Sequence, residues 1–162
     1  MVSALTLAAG APASGKEGVM EWRFVKNEGQ LSLYIADTDG GADTILSPSF
    51  KCEKGDNEIT IRGVMTEKLR RAYADGIVKQ KYPRAELAGD GKDDVHFMDP
   101  VYSEKDRWMY MLRMGIGAAG LASFRKTGML GFKFNGAAVE QGNKAGLDKI
   151  GEFFETCRRG TW

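Results

Sequence analysis

The residues best suited to chemistry stand in three places. The first is "GAPASGKE", Gly10 to Glu17, which approaches the phosphate-cradling pattern G-x-x-x-x-G-K-[ST]. Gly10, Gly15 and Lys16 fit it. Glu17 stands where a hydroxyl residue should ligand Mg²⁺, and its carboxylate would repel the phosphates. Such a loop must also open a helix, whose N-terminus attracts the anion. Here Gly18 and the strand-like run "VMEWRFVK" follow instead. Asp37, at the end of "SLYIAD", could imitate the second, metal-binding motif of such enzymes, although a buried strand reads the same way. The second place is "DDVHFMDP", with Asp93, Asp94, His96 and Asp99. On a strand Asp94 and His96 would share a face. Asp94, His96 and Asp99 are therefore weak candidate ligands for Zn²⁺ or Mn²⁺, against the commoner role of an Asp-rich loop as a solvated turn. The third place is the pair Cys52 and Cys157.

These two are the only cysteines. Neither belongs to a C-x-x-C pair, so a zinc or thioredoxin-like site has no support. In an exported chain an even count suggests one disulfide. It would close a loop of about 100 residues and stabilise by about 4–5 kcal/mol in the chain-entropy model. Two separately buried thiols are the alternative. A catalytic cysteine would need a base, and nothing in the sequence places the single histidine, His96, beside either one.

Other candidate sites weaken on inspection. "DTDGGAD" and "GDGKDD" have the look of calcium loops, yet the twelfth position holds Pro48 or Val101 rather than the required Glu. "RWMYMLRM" interleaves Arg107, Trp108, Tyr110 and Arg113, which suits base stacking. Strand alternation accounts for it more simply, with Trp108, Tyr110 and Leu112 on one face, Met109, Met111 and Arg113 on the other, and cover on both sides. No G-x-S-x-G elbow occurs, and no triad can be assembled around one histidine.

The elements that must position these groups are mostly strands. "MEWRFVK", "QLSLYIAD", "SFKCE" and "EITIRGV" read as a meander of hairpins, turned at Asn27–Gly29 and at "KGDN". Thr66 can cap a short helix carrying Leu69, Ala72, Tyr73 and Ile77. Gly76 and the β-favouring "IVKQKY" predict that it soon passes into a strand. "VHFM" and "DRWMYMLRMG" follow as strands, then a short helix ending at Gly128 and the strand "MLGFKFNG". The last element is an amphipathic helix. Leu147, Ile150, Phe153, Phe154 and Cys157 form its apolar stripe, Asn143 is the expected N-cap, and Gly160 suits the C′ position.

Composition narrows the function classes. The chain has 162 residues and a formal net charge of +1. That size suits one domain with its own core. Neither Lys68–Arg71 nor Arg158–Arg159 makes the basic face a nucleic-acid binder carries. No apolar run reaches the about 18 residues of a membrane span. The start, "VSALTLAAGAPASG", is small and apolar, and Ala11-Pro12-Ala13 is an A-x-A cleavage site of the export type, though the charged n-region is missing.

Taken together these stretches resemble a broad group of small exported alphaproteobacterial proteins, loosely akin to the invasion-associated locus B group. The resemblance rests on the small-residue signal, the opening "W-x-F" of Trp22 and Phe24, and "SFKCE". It extends to "AGLASFRKTGMLGFKFNG" and "LDKIGEFFETCRRG". It implies a periplasmic β-rich domain with a disulfide, and it carries over no catalytic residue.

The expectation is residues 1–18 as residual signal or tail and residues 19–162 as one α+β, mostly β, domain. An antiparallel sheet or β-sandwich is closed by the C-terminal helix, with one or two short helices. Its expected role is a periplasmic or secreted, envelope-associated, non-enzymatic binding domain, with an unidentified protein or small ligand as partner and no cofactor. The alternatives are a degenerate nucleotide-binding phosphotransferase, a metal-dependent hydrolase using His96, and a protein inhibitor of an envelope enzyme.

Overall fold

The structure is a computed structural model and describes residues 19–37, 46–87, 94–103, 107–160 and 162. Lys16 and the rest of the phosphate-loop and signal readings lie outside these residues. So do most of the two calcium-like loops.

Alternation explains the first strands. β1 (Met20–Asn27) and β2 (Gln30–Asp37) pair antiparallel from Asn27↔Gln30 outward, and Gly29 turns the hairpin at φ 74. β3 (Leu46–Glu53) pairs with β2, and β4 (Glu58–Val64) pairs with β3. Trp22, Leu33, Phe50, Cys52, Ile59 and Ile61 reach the core from alternate positions. There follow α1 (Glu67–Val78), β5 (Arg84–Leu87), β6 (Asp94–Ser103) and β7 (Arg107–Gly115). After them come α2 (Leu121–Thr127), β8 (Met129–Phe134), β9 (Ala137–Gly142) and α3 (Leu147–Arg159).

The strands form one nine-stranded antiparallel sheet in the order β1-β2-β3-β4-β7-β6-β5-β8-β9. The fold is thus α+β and mostly β, and the sandwich alternative gives way to a single curled sheet. β6 is the reason. Its first residues, Asp94 to Phe97, pair with β5, while Met98 to Ser103 pair with β7. One long strand thereby carries both halves of the sheet around a corner.

The curl brings β9 back to the opposite half. Gln141 is the clasp: its Oε1 accepts from Ser47 Oγ and Tyr110 OH, each at 2.8 Å, and its Nε2 donates to the Val64 carbonyl at 3.0 Å. Ser47 Oγ also accepts the Val64 N–H at 2.8 Å. The polar groups drawn inward therefore satisfy one another.

Two helices fill the concave side. Phe124 of α2 stacks on Phe50 at 4.4 Å, with Trp22 edge-on to both. Ile150, Phe153, Phe154 and Cys157 of α3 are buried, as the stripe requires. Cys52 and Cys157 form a disulfide that joins β3 to α3, with 6.1 Å between Cα atoms. Gly160 closes α3 at φ 63.

Three expectations need correction. Asn143 does not cap α3. It is taken up by β1, donating Nδ2–H to the Met20 carbonyl at 2.9 Å and accepting the Trp22 indole N–H on its own carbonyl at 2.7 Å. Gly146, at φ 77, opens the helix instead, because a Cβ there would press on the Trp22 backbone. Leu147, one residue further, is 37% exposed rather than part of the buried stripe. Finally, "IVKQKY" is not a strand: α1 runs through Val78, and β5 starts only at Arg84. Gly76 does not end the helix. Its missing side chain lets α1 lie against Asn135, and that tertiary contact overrides the local preference.

Candidate functional site

α1 starts where its cap predicts. Thr66 Oγ1 accepts the Leu69 N–H at 3.3 Å, and Glu67 pairs with Arg71 one turn on. Leu69 is buried, and Tyr73 stacks on Phe134 with ring centroids 5.7 Å apart. The β8–β9 turn is Asn135-Gly136, at φ 45 and 81, the pairing that a tight hairpin favours. From that turn Asn135 donates Nδ2–H to the Ala72 carbonyl at 3.2 Å. These contacts fix α1 as one wall of a groove.

The end of the β6–β7 ladder is the other wall. The Met65 N–H donates to the Trp108 carbonyl at 2.9 Å, which ties the approach to α1 onto β7. Trp108 faces Tyr102 in register, and their rings meet edge-on at 5.1 Å.

Between the walls lies a groove of about 400 Å³. Arg70, Tyr73, Ala74 and Ile77 line it from α1 at helical spacing, and Met65, Pro100 and Trp108 complete it. The Trp108 side of the wall stays 44% exposed. Burial, and then the negative charge of Asp99, raise the Tyr73 phenol above its ordinary pKa. Tyr73 is therefore protonated at neutral pH, and Arg70 is a permanent cation.

Other surfaces are less selective. The outer face of β3, β4 and β7 mixes Lys51, Arg62 and Arg113 with Glu53, Asp56 and Glu58. The depression beside β1 and α3 balances Arg23, Lys26 and Lys149 against Glu21, Asp148 and Glu152. Alternating signs in such closely spaced groups cancel at a distance.

Of the proposed metal ligands, His96 and Asp99 have described side chains. His96 and Asp99 lie three residues apart on β6, so they project to opposite faces of the strand. Asp94 is on the same strand, but its side chain lies outside the described residues, as does Asp93. Among the described residues no three His, Cys, Asp or Glu side chains gather where they could hold a metal ion. Cys52 and Cys157 are brought together, as a structural link.

The aromatic run on β7 divides otherwise than cover on both sides would require. Tyr110, Leu112 and Met114 are buried, while on the outer face Met111 is half-buried between Arg62 and Asp99 and Arg113 is exposed. Lys68, Arg70 and Arg71, like Arg158 and Arg159, are exposed on helices. Sequence reasoning missed the groove altogether. Its signal was the helical spacing of Arg70, Tyr73, Ala74 and Ile77 along α1. No family model, no curated protein and no solved structure matches the chain.

Proposed function

We propose that the protein is a non-enzymatic binding domain of the cell envelope, periplasmic or secreted, which takes its ligand in the groove between α1 and the β6–β7 ladder. The groove's lining is the observation that carries this reading. Its walls offer mostly apolar surface, and its two polar side chains are the Arg70 cation and the Tyr73 phenol, which keeps its proton at neutral pH. Such walls gain energy by burying apolar surface and orient what they bind through one cation. The Cys52–Cys157 bond supports an oxidising compartment, where disulfides persist. The resemblance of the start and of the two cysteine-bearing segments to small exported proteins supports the same compartment.

The test is titration of anilinonaphthalene sulfonate, an apolar anionic dye, into the folded full chain. Saturable binding should quench Trp108, and the quenched component should disappear in Trp108→Phe. Ile77→Asp should abolish binding, while Leu147→Asp, on an exposed site elsewhere, should not. Binding that ignores Ile77→Asp would remove the groove from the function. For the compartment, thiols of protein taken from its native host should resist alkylation until a reductant is added. Two reactive thiols there would refute export.

A further inference from the structure

Most of the large apolar side chains that the described residues expose lie between Ile77 and Trp108, at the end of α1, along β6 and at the start of β7. The segment Ile77–Arg84, "IVKQKYPR", concentrates the pattern. Val78 is 81% exposed, Tyr82 is 72% exposed, and Ile77 is exposed beside them. Lys79, Lys81 and Arg84 lie among these apolar groups, and the segment contains no acid. None of the three cations pairs with a carboxylate among the described residues.

Arg84 is also held in place. The Arg84 guanidinium lies 5.6 Å from the Tyr82 ring and 5.8 Å from that of Phe97, itself 59% exposed. Lys133 joins Lys81 and Arg84 around one open depression, with Glu86 the single opposing charge. The Lys81 N–H donates to the Gly76 carbonyl at 2.8 Å, which folds the segment back on the helix end.

Val78 projects outward, and Ile77 at the edge of the groove and Tyr82 at the rim of the depression stay 62% and 72% exposed. A protruding side chain needs a partner that yields around it, and a bilayer surface does so. Aromatic rings with a polar tip settle at headgroup level, and lysine and arginine stems extend along apolar surface to reach the phosphates. A nucleic acid would need a longer basic track than the three cations of this segment, on a chain whose net charge is only +1.

We propose that this end of the protein seats on an anionic lipid bilayer. Ile77, Val78 and Tyr82 enter the headgroup region, and Lys79, Lys81 and Arg84 meet the lipid phosphates. The inference rests on the preceding reading in taking the same end of the molecule as the working surface, and it names the partner.

The test is sedimentation of the full chain with vesicles of zwitterionic phosphoglyceride, with and without an anionic phosphoglyceride. Three cations near an anionic surface should give on the order of 100-fold stronger partitioning onto the anionic vesicles, lost at high salt. Reversing all three, K79E with K81E and R84E, should abolish that difference. Val78→Asp with Tyr82→Ser should weaken binding about tenfold or more. All are exposed positions, and unchanged thermal unfolding would confirm intact folds. Brominated lipid should quench Trp108. Equal binding to both vesicles, or binding that survives the triple reversal, overturns the proposal. Displacement by free glycerophosphate or by a soluble acidic polysaccharide overturns it in favour of a small or glycan ligand. Failure here with the dye still bound in the groove leaves the binding-domain reading standing; loss of both removes it.

Discussion

The Tyr110 ring lies across Gly63, its register partner on β4, and its hydroxyl donates to Gln141 Oε1 at 2.8 Å. The two residues hold the curl of the sheet between them. A Cβ on Gly63 would run into the Tyr110 ring, and the ring cannot swing away without leaving Gln141. Gly63→Ala should therefore destabilise by about 1–3 kcal/mol through overpacking. Tyr110→Phe should cost only about 1 kcal/mol, since Gln141 keeps its Ser47 donor. Urea unfolding midpoints compare the two. A neutral Gly63→Ala would mean that the ring does not lie there.

Alkaline pH should act through the same tyrosine. Burial raises the Tyr110 pKa far above the 10.0 of a free phenol, so the folded state keeps its proton where the unfolded chain loses it. Stability from this group is complete below pH 10 and falls as pH rises beyond it, because the unfolded state then binds fewer protons. Unfolding free energy followed from neutral to strongly alkaline pH should decline less steeply in Tyr110→Phe. In an absorbance titration of the native protein, one of the five tyrosines should ionise only on unfolding. Identical slopes in the two proteins would count against burial as the cause.

The disulfide spans 105 residues of sequence and ties β3 to the last helix. Loop-closure entropy assigns such a link about 4–5 kcal/mol, with measured cases more often at 2–4. The double variant Cys52→Ala, Cys157→Ala should lose an amount in that range in guanidinium unfolding, and reductant should leave the variant unchanged while weakening the wild type. Equal stability with and without the bond would remove its structural role.

The start of α3 can be checked by contrast within one helix. Phe153 and Phe154 are fully buried, and either changed to alanine should cost about 3–5 kcal/mol. Leu147→Ala, on a half-open position, should cost well under that. Comparable losses at Leu147 and Phe153 would restore the longer buried stripe.

Strand periodicity made the first half of the fold legible. Trp22, Leu33, Phe50 and Ile61 alternate with polar neighbours, and the turns at Gly29 and Lys54–Asn57 carry the expected residues. Thr66 was legible as a cap because its hydroxyl serves a backbone only three residues on. Asn143 misled for the converse reason. Its local pattern suits a cap, but its Oδ1 accepts the Ala145 N–H ahead of the helix, and its amide and carbonyl bond β1, more than a hundred residues away. The groove was hidden in the same way, since Ile77 and Trp108 belong to α1 and β7, which long-range contacts such as the Met65 N–H to the Trp108 carbonyl bring together.

Local spacing alone thus settled where most strands begin, which face of α3 carries Phe153 and Phe154, and that two cysteines were available to pair. Those are properties of neighbours along a chain, set by side-chain alternation and helical repeat. Only the folded structure decided that β6 serves both halves of one sheet, that Gln141 fastens β9 to β4 and β7, and that Val78 and Tyr82 are left outside. Each depends on contacts between residues distant in sequence, where packing and long-range hydrogen bonds outweigh what any short stretch prefers by itself.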